Sequence, residues 1–261
     1  MYLSWNEQTI TDFSENNINS LYSQGYIFTR RGKGVMRQTR SLRIDLSKFE
    51  LSSENRRILK KTEGLQLTAY DLPLANYTWQ IGKLGHDFYE TKFGKGTFSA
   101  NKIKELLIDV EKSNFNRLLV YAVNHPGDPW GRPPLLSKEG LESYAPSTPL
   151  LRKEGPLRPQ SEGGVVDAVG YCIALETNEL LHYAYPFYNL SIVNGQMSNV
   201  GLGMMLRAIL YAKEQDKKYI YLGSAQRPAD TYKLQFAGLE WFDGTKWSDD
   251  LHSIKEILYE I

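Results

Sequence analysis

Cysteine and histidine, which supply disulfides and many metal ligands, are scarce in this chain. The 261 residues include one cysteine, Cys172, and four histidines that lie far apart and show neither HxxxH nor HxH spacing. A single thiol excludes an intrachain disulfide and any CxxC-type zinc or iron–sulfur site within one chain. We therefore expect no bound metal, and each histidine is interpreted as an ordinary core or surface residue.

Long apolar runs are also lacking. No stretch approaches the roughly 18 residues of a membrane span, and the N-terminal residues lack the basic and apolar blocks of a signal peptide. We therefore expect no membrane association and a cytoplasmic location. The composition, 41% hydrophobic and 23% charged, is that of a globular chain whose core needs no disulfides.

The net charge is close to zero, but its distribution is uneven. The whole chain carries +1, whereas residues 30–61 contain eleven basic and three acidic residues, a net charge of +8 that leaves −7 for the remainder. A face that binds a polyanion such as nucleic acid needs this kind of asymmetry. A solvated basic surface without a ligand explains the same charges, and charge alone does not decide between the two.

Apolar periodicity predicts helices and strands along most of the chain. Helices are expected at 11–24, at 52–61, after the N-cap residue Ser99 and over the apolar stripe of 202–210, and strands are expected as a pair within 25–46 and at 65–70, 118–123, 165–175, 180–190 and 219–222. The helix after Ser99 should place Ile103, Leu106, Leu107 and Val110 on one face. The fold class that follows is α/β (α+β), a mixed central sheet flanked by helices.

Residues 125–164 interrupt this pattern. They are rich in proline, glycine and serine, and PLLSKEG recurs as PLLRKEG fifteen residues later. Two copies at so short a spacing are too few to form a solenoid. The many prolines and the lack of apolar periodicity instead predict a disordered insert within a hairpin. A peptide-binding motif is the alternative. The chain is thus expected to form one domain from 1–124 and 165–261, with the basic part, 1–75, packed on it.

The segment 198–247 is the most informative part of the chain. A glycine-bearing loop opens a helix, and a short strand follows. Loop, helix and strand in this order suit an acyl carrier whose phosphates rest on a helix N-terminus, where unpaired N–H groups point at the anion. The expected donor-binding residues are Gly201, Leu202, Gly203, Tyr221, Leu222 and Gly223. The arrangement looks like the acyl-donor half of a GNAT-type acyltransferase, although the glycines also suit tight packing at a helix start.

Together these blocks resemble the arginyl-tRNA–protein transferase family, including its bacterial leucyl-transferring branch. The matching stretches are GYIFTRRGKGVM, LRIDLSKFELSSENRRILKK, YPFYNL, GLGMMLRAILYAKEQDKKYIYLG and YKLQFAGLEWFDGTKW, and the similarity runs from about residue 21 to 247 outside the insert. The resemblance implies a GNAT-like fold that moves an amino acid from charged tRNA to a protein N-terminus. The chain departs from the family at 37–40, where a cysteine pair is usual, and at 224–226, where an aromatic residue and isoleucine are usual, so the transferred amino acid is left open.

The resemblance also implies roles for particular residues. Transfer from an activated ester depends on positioning and on removal of a proton from the attacking ammonium, so no catalytic triad is needed, and none is visible. The expected catalytic residues are Tyr232 and Lys233, which follow the donor strand. The expected substrate pocket contains Tyr185, Tyr188, Gln226 and Arg227, and the expected tRNA phosphate contacts are Arg56, Arg57 and Lys60. The alternative is that these tyrosines simply pack in the core and that these cations lie on a solvated surface without a ligand.

The expected partners are an aminoacyl-tRNA and a protein or peptide N-terminus, used by a monomer without a cofactor. Two other classes of protein stay open. An acyl-CoA-dependent GNAT N-acyltransferase would use the same glycine loop for a pyrophosphate and would not need the basic segment. A catalytically silent relative would keep the basic face and lose the pocket.

Overall fold

The computed structural model describes residues 3–123, 168–193 and 198–260. Its strands, in chain order, are β1 (Asn6–Thr9), β2 (Tyr26–Phe28), β3 (Val35–Gln38), β4 (Ser41–Asp45), β5 (Leu65–Asp71), β6 (Arg117–Val123), β7 (Ala168–Glu176), β8 (Leu180–Tyr188), β9 (Tyr219–Ser224), β10 (Leu239–Phe242) and β11 (Trp247–Ser248). Its helices are α1 (Glu15–Ser23), α2 (Ser53–Lys61), α3 (Trp79–Phe93), α4 (Ala100–Ile108), α5 (Leu190–Val193), α6 (Val200–Glu214) and α7 (Leu251–Tyr259), with a 3₁₀ helix at Pro228–Gln235.

Two sheets organise these strands. The small sheet has the order β1-β3-β2, and the large mixed sheet has the order β11-β10-β4-β9-β8-β7-β6-β5. Helices α2, α6 and α7 cover one face of the large sheet with an apolar core, and α1, α3 and α4 cover the other face. The expected mixed central sheet flanked by helices is confirmed.

Strands β8 and β9 are the one parallel pair within the described part of the large sheet. A parallel pair needs a crossover connection, and α6 lies in that connection. The paired residues are Leu180↔Tyr219, Leu181↔Ile220 and His182↔Tyr221. Beyond them β8 runs on to its end at residue 188 and β9 to residue 224 without pairing to each other. The two strands therefore diverge and leave a gap, called here the β8–β9 opening.

The first turn of α6 lies close to the end of α2. A Cβ on Gly203 would lie 2.7 Å from Thr62 Oγ1 at the C-cap of α2, so glycine permits this approach. Arg207, one turn along α6, donates to Thr62 Oγ1 at 2.9 Å, to Thr62 O at 2.5 Å and to Leu65 O. These bonds satisfy carbonyls at the end of α2 and fix the basic helix beside the start of α6.

The predicted strand pair within 25–46 is wrong in its pairing. Strands β2 and β3 form a hairpin in the small sheet, where β1, which the sequence did not indicate, joins them. Strand β4 instead enters the large sheet between β10 and β9. The reason is burial, because Leu42 and Ile44 are fully buried in the core beneath α6 and stabilise β4 there.

Helix α2 begins within the predicted range 52–61, and α4 begins after its predicted N-cap, Ser99. Ser52 and Ser99 accept hydrogen bonds from the backbone N–H of Asn55 and Lys102, at the starts of α2 and α4. Val110 lies beyond the end of α4 and is 50% exposed, so its predicted place on the apolar face of that helix is wrong.

Helix α3 has no counterpart among the sequence-based expectations. It contains Gly82 and Gly85, which lower helix propensity and obscure the apolar period. A Cβ on Gly85 would lie 2.5 Å from Ile103 Cδ1 of α4 and 3.3 Å from the ring of Phe187 in β8. The glycine therefore lets α3 approach both neighbours, and tertiary packing overrides the local preference.

The predicted insert, 125–164, lies outside the described residues. The strands on its two sides are neighbours, since Ala122 of β6 is the register partner of Ala168 of β7. A short turn is therefore long enough to connect these two strands.

Replacing residues 124–167 by a turn of about four residues is expected to leave the fold intact. The free energy of unfolding should change by less than about 1 kcal/mol, because the entropy of loop closure depends only weakly on loop length. Urea denaturation of the two forms measures the difference. A loss of several kcal/mol would show instead that the segment contributes to the core.

Candidate functional site

The β8–β9 opening begins where backbone pairing stops. Ile173 pairs with Tyr185 and Ala174 pairs with Tyr183, so β8 contains one extra residue, Ala184. A bulge of this kind bends the strand and interrupts its ladder. The bulge residue, Ala184, lies two residues after His182, which is the last residue of β8 that pairs with β9. The backbone groups on this edge of β8 are therefore not committed to β9.

Lys233 lies at the end of β9. Its Nζ donates to Ser224 O at 3.1 Å and lies 3.7 Å from Asp230 Oδ1, and 12% of its side chain is exposed. Asp230 is itself fixed, because its Oδ2 accepts the backbone N–H groups of Gln226 at 2.9 Å and Arg227 at 3.1 Å. The ammonium group is thus held next to the end of β9, which pairs with β4 but no longer with β8.

Tyr232 precedes this lysine and is 44% exposed. Restricted access of water to its hydroxyl raises the pKa of Tyr232 to about 12, and the charge of Asp230 contributes a smaller part of this shift. The hydroxyl is therefore a proton donor at neutral pH. Burial is the main cause that raises the pKa of Tyr183 and of Tyr188, and neighbouring groups that include Tyr232 add to the shift. Tyr232 therefore acts electrostatically on two tyrosines of β8.

His182 and Tyr22 complete the closed end of the opening, and no sequence signal indicated either residue. Tyr22 Oη and His182 Nδ1 form a hydrogen bond of 2.9 Å, and both residues are buried. Burial, and then the charge of Lys233, lower the pKa of His182 to about 3. The imidazole is therefore neutral at physiological pH, and its sensitivity to Lys233 places the two side chains in the same part of the fold.

Tyr188 connects the end of β8 with α6. A Cβ on Gly201 would lie 3.1 Å from the Tyr188 ring, so the ring covers the first turn of the helix. The centroid of the same ring lies 4.8 Å from that of Phe88 in α3. Of the two predicted pocket tyrosines, Tyr188 is therefore the one that contacts the predicted donor loop.

Tyr185 is part of an aromatic cluster. Its ring centroid lies 5.3 Å from that of Phe98 and 5.4 Å from that of Phe115. The Arg30 guanidinium stacks at 4.3 Å from the Phe98 centroid and 5.6 Å from the Tyr185 centroid. Burial raises the pKa of Tyr185 to about 12, even though Arg30 acts in the opposite direction.

The predicted donor residues differ in how open they are. Gly223 has φ +76°, and a Cβ there would meet no described atom within 4 Å, so the backbone at the end of β9 is accessible. Tyr221 is buried and packs edge-on against Tyr22 at 4.9 Å between centroids. Leu222 is buried in the core beneath α6, and Leu202 is partly buried against the same core. Among the predicted donor-binding residues outside the start of α6, Gly223 is thus the accessible one.

Gln226 and Arg227 are adjacent in sequence but have different surroundings. Gln226 Oε1 accepts from Leu3 N at 2.9 Å, and its Nε2 donates to Leu3 O at 3.1 Å and to Thr39 Oγ1. Its amide is thus engaged by the N-terminal segment and by the connection between β3 and β4. The Arg227 guanidinium lies 4.7 Å from the centroid of Phe93, which is 43% exposed at the end of α3. Arg227 and Phe93 form the rim of the opening.

Helix α2 carries the three predicted phosphate contacts on its exposed face. Arg57 is paired with Glu54 at 2.5 Å, whereas Arg56 and Lys60 have no acidic partner within ion-pair distance among the described residues. Other cations of the basic segment are neutralised within the fold, in the pairs Arg37–Glu7, Arg43–Glu240 and Lys48–Glu240. Less of the segment's positive charge is therefore available to a ligand than composition suggests.

The described residues contain no metal site or membrane helix. Within 3–123, 168–193 and 198–260, no three His, Cys, Asp or Glu side chains are grouped so that they could hold a metal ion. In the same part of the chain, no helix is long and apolar enough to cross a bilayer. Burial raises the pKa of the Cys172 thiol, which therefore stays protonated at neutral pH.

Comparison with known proteins shows similarity to solved structures alone. No protein-family model and no curated protein matches the sequence. L-PGS from Bacillus licheniformis is similar with a TM-score of 0.40 and 11% identity over 81% of this chain and 52% of its own. The C-terminal domain of a protein assigned as a lysylphosphatidylglycerol synthetase from Agrobacterium fabrum has a TM-score of 0.39 and 11% identity over 85% and 55%. A GCN5-related glucosamine N-acetyltransferase region of a fungal β-N-acetylglucosaminidase has a TM-score of 0.42 and 10% identity over 90% and 22%. The chain thus spans about half the length of the first two, and the likeness concerns the fold alone.

Proposed function

We propose that this protein is an aminoacyltransferase that moves an amino acid from charged tRNA to the N-terminal amine of an acceptor protein. The observation that carries the proposal is the β8–β9 opening, where pairing between the two parallel strands stops and Lys233 Nζ is held at Ser224 O of β9. An aminoacyl ester is already activated, so a site that orients ester and amine supplies much of the catalysis.

The unpaired strand edges suit the acyl part of the donor. Backbone N–H and C=O groups beyond the last β8–β9 pair can bind the aminoacyl group as an added strand would be bound. Tyr232 is a protonated donor, and Lys233 neutralises the charge of a terminal phosphate or of the substrate carboxylate. The bulge at Ala184 frees the backbone of β8 where the acyl group would lie.

The start of α6 suits the phosphates of the donor. Its N-cap residue, Asn199, makes no side-chain hydrogen bond to the first turn. N–H groups of that turn are therefore available to an anion, and the helix dipole favours negative charge there. The basic face of α2 is fixed beside the same turn through the Thr62–Gly203 contact.

Aromatic side chains at the rim suit the terminal adenine. Tyr188 lies against the start of α6, and Phe93 and Tyr232 are each more than two-fifths exposed. Flat, partly exposed rings bind bases by stacking. In this proposal the protein acts in the cytoplasm as a monomer and needs no cofactor besides charged tRNA.

Incubation with a mixture of charged tRNAs and a library of N-terminal peptides tests the proposal. We expect mass spectrometry to show the addition of one amino acid to the N-terminal amine of some peptides. Consumption of acetyl-CoA without use of charged tRNA would support the acyl-CoA-dependent N-acyltransferase instead. Binding of tRNA with no product from either donor would support a catalytically silent relative.

The salt dependence of tRNA binding is expected to distinguish the cations of α2. Arg56→Ala and Lys60→Ala should each reduce the slope of log K against log salt by about one, because each removes one phosphate contact. Arg57→Ala is the matched control, since Glu54 already neutralises that guanidinium and the slope should change less. Filter binding at several salt concentrations measures the slopes, and three unchanged slopes would remove α2 from the tRNA interface.

A further inference from the structure

A second polar groove lies between α3 and α4, away from the unpaired strand ends. It has a volume of about 530 Å³ and is open to solvent. The lining residues that matter here are Trp79, Lys83, His86, Ser99, Asn101 and Lys104. Three of them, at positions 79, 83 and 86, follow the spacing i, i+4 and i+7 and therefore share one face of α3.

The groove follows from the close approach of the two helices. A Cβ on Gly82 of α3 would lie 3.2 Å from Ala100 O at the start of α4, and it would clash with Tyr77 Oη. The absence of a side chain at Gly82 brings the helix starts together and leaves longer side chains to form the walls. The groove is thus built by backbone packing and does not depend on a loose loop.

Its side chains combine an exposed aromatic ring with positive charge. Trp79 is 66% exposed, the highest value among the tryptophans that the structure describes. Lys83 is paired with Asp87 at 2.5 Å, but no acidic residue lines the groove itself. Lys104 has no acidic partner within ion-pair distance in the described ranges. The groove thus places a flat apolar ring beside positive charge, which matches a ligand with both a flat face and negative charge.

We infer that the groove binds an unpaired nucleotide of RNA. The base stacks on Trp79, a neighbouring phosphate lies against Lys104, and Asn101 is placed to read the edge of the base. The choice of tRNA as the RNA rests on the proposed function, whereas the groove chemistry requires only an unpaired nucleotide. An acidic peptide would use the lysines and leave the indole without a role.

Helix α3 connects this groove with the proposed transfer site. His86 lines the groove and Phe93 forms the rim of the β8–β9 opening. Seven residues of α-helix separate them, which is about 10 Å along the axis. One extended strand of RNA can therefore contact the groove while its 3′ end reaches the opening.

Binding of fluorescein-labelled hexa-adenylate and of uncharged tRNA, measured by anisotropy, tests the inference. Trp79→Ala should weaken hexa-adenylate binding by about 5- to 150-fold, as loss of one base–aromatic stack does, and Trp79→Phe should restore most of it. Lys104→Gln should reduce the salt slope for this single strand by about 0.7. Tyr259→Ala and Lys255→Gln, exposed residues of α7, are the matched controls and should change neither quantity.

The outcomes separate this inference from the proposed function. If Trp79→Ala binds hexa-adenylate and tRNA as tightly as the unmodified protein, the groove is not an RNA site, whether or not transfer occurs. If Lys104→Gln weakens binding of an acidic peptide while Trp79→Ala has no effect on any ligand, the occupant is a peptide and the inference is overturned. If transfer is absent but RNA binding depends on Trp79 as described, the inference stands and the proposed function fails.

Discussion

Replacing Lys233 by alanine is expected to lower the rate of aminoacyl transfer by about 100-fold or more while changing tRNA affinity by less than about tenfold. The ammonium is held at the end of β9 by Ser224 O and lies close to Asp230, so its position is fixed before the substrate binds. A preorganised charge acts mainly on the charge that develops during reaction, and one phosphate contact adds little to the affinity of a whole tRNA. Single-turnover transfer and equilibrium binding measure the two quantities separately.

Lys213→Ala is the matched control for this variant. Lys213 Nζ also donates to a main-chain carbonyl, Phe49 O at 2.9 Å, but it lies on the far end of α6. Both variants lose one lysine–carbonyl hydrogen bond, so a loss of transfer confined to Lys233→Ala is not explained by stability. Equal transfer rates for Lys233→Ala and the unmodified protein would show that this lysine takes no part in the reaction.

Replacing Glu176 by glutamine is expected to lower the free energy of unfolding by about 3 kcal/mol at neutral pH. Its carboxylate is 8% exposed and lies 2.8 Å from Arg117 Nε and 3.0 Å from Lys217 Nζ, and it accepts from Tyr211 Oη at 3.0 Å. Removing the negative charge takes the carboxylate partner from the Lys217 ammonium, whose side chain is 10% exposed, and one of two carboxylate partners from Arg117, which also pairs with Asp71. Glu54→Gln breaks the exposed pair with Arg57 and should change stability by less than about 1 kcal/mol.

The effect of Glu176→Gln should depend on pH. Burial acts to raise the pKa of Glu176, but the hydrogen bonds and charges of Lys217 and Arg117 outweigh it and hold the pKa below the ordinary value of 4.5. Because the folded pKa is the lower one, the stabilisation is complete above the unfolded pKa and is lost as the pH falls through the folded pKa. Urea denaturation from pH 7 to pH 3 should therefore show that the free energies of unfolding of Glu176→Gln and of the unmodified protein become equal in acid. A difference that stays constant over this range would show that the charge of Glu176 is not its source.

Local sequence patterns predicted much of the fold. Apolar spacing located α6, the cap residue Ser99 located α4, and alternating or apolar runs located β4 to β9, because neighbouring residues decide these features. The same patterns gave the strand pair within 25–46 the wrong partners. Pairing of β4 with β9 and β10 depends on residues almost 200 positions away, which no local period encodes.

The sequence by itself determined that Tyr232 and Lys233 follow a strand, that a glycine loop opens a helix, and that basic residues concentrate before residue 62. The tertiary structure alone decided that β8 and β9 stop pairing after His182, that this buried histidine is hydrogen-bonded to Tyr22, and that Gln226 is engaged by Leu3. It also decided that α3 forms across two glycines and leaves Trp79 in a cationic groove. These features arise from contacts between distant segments, and such contacts gain their free energy from burial that exists only once the sheet has assembled.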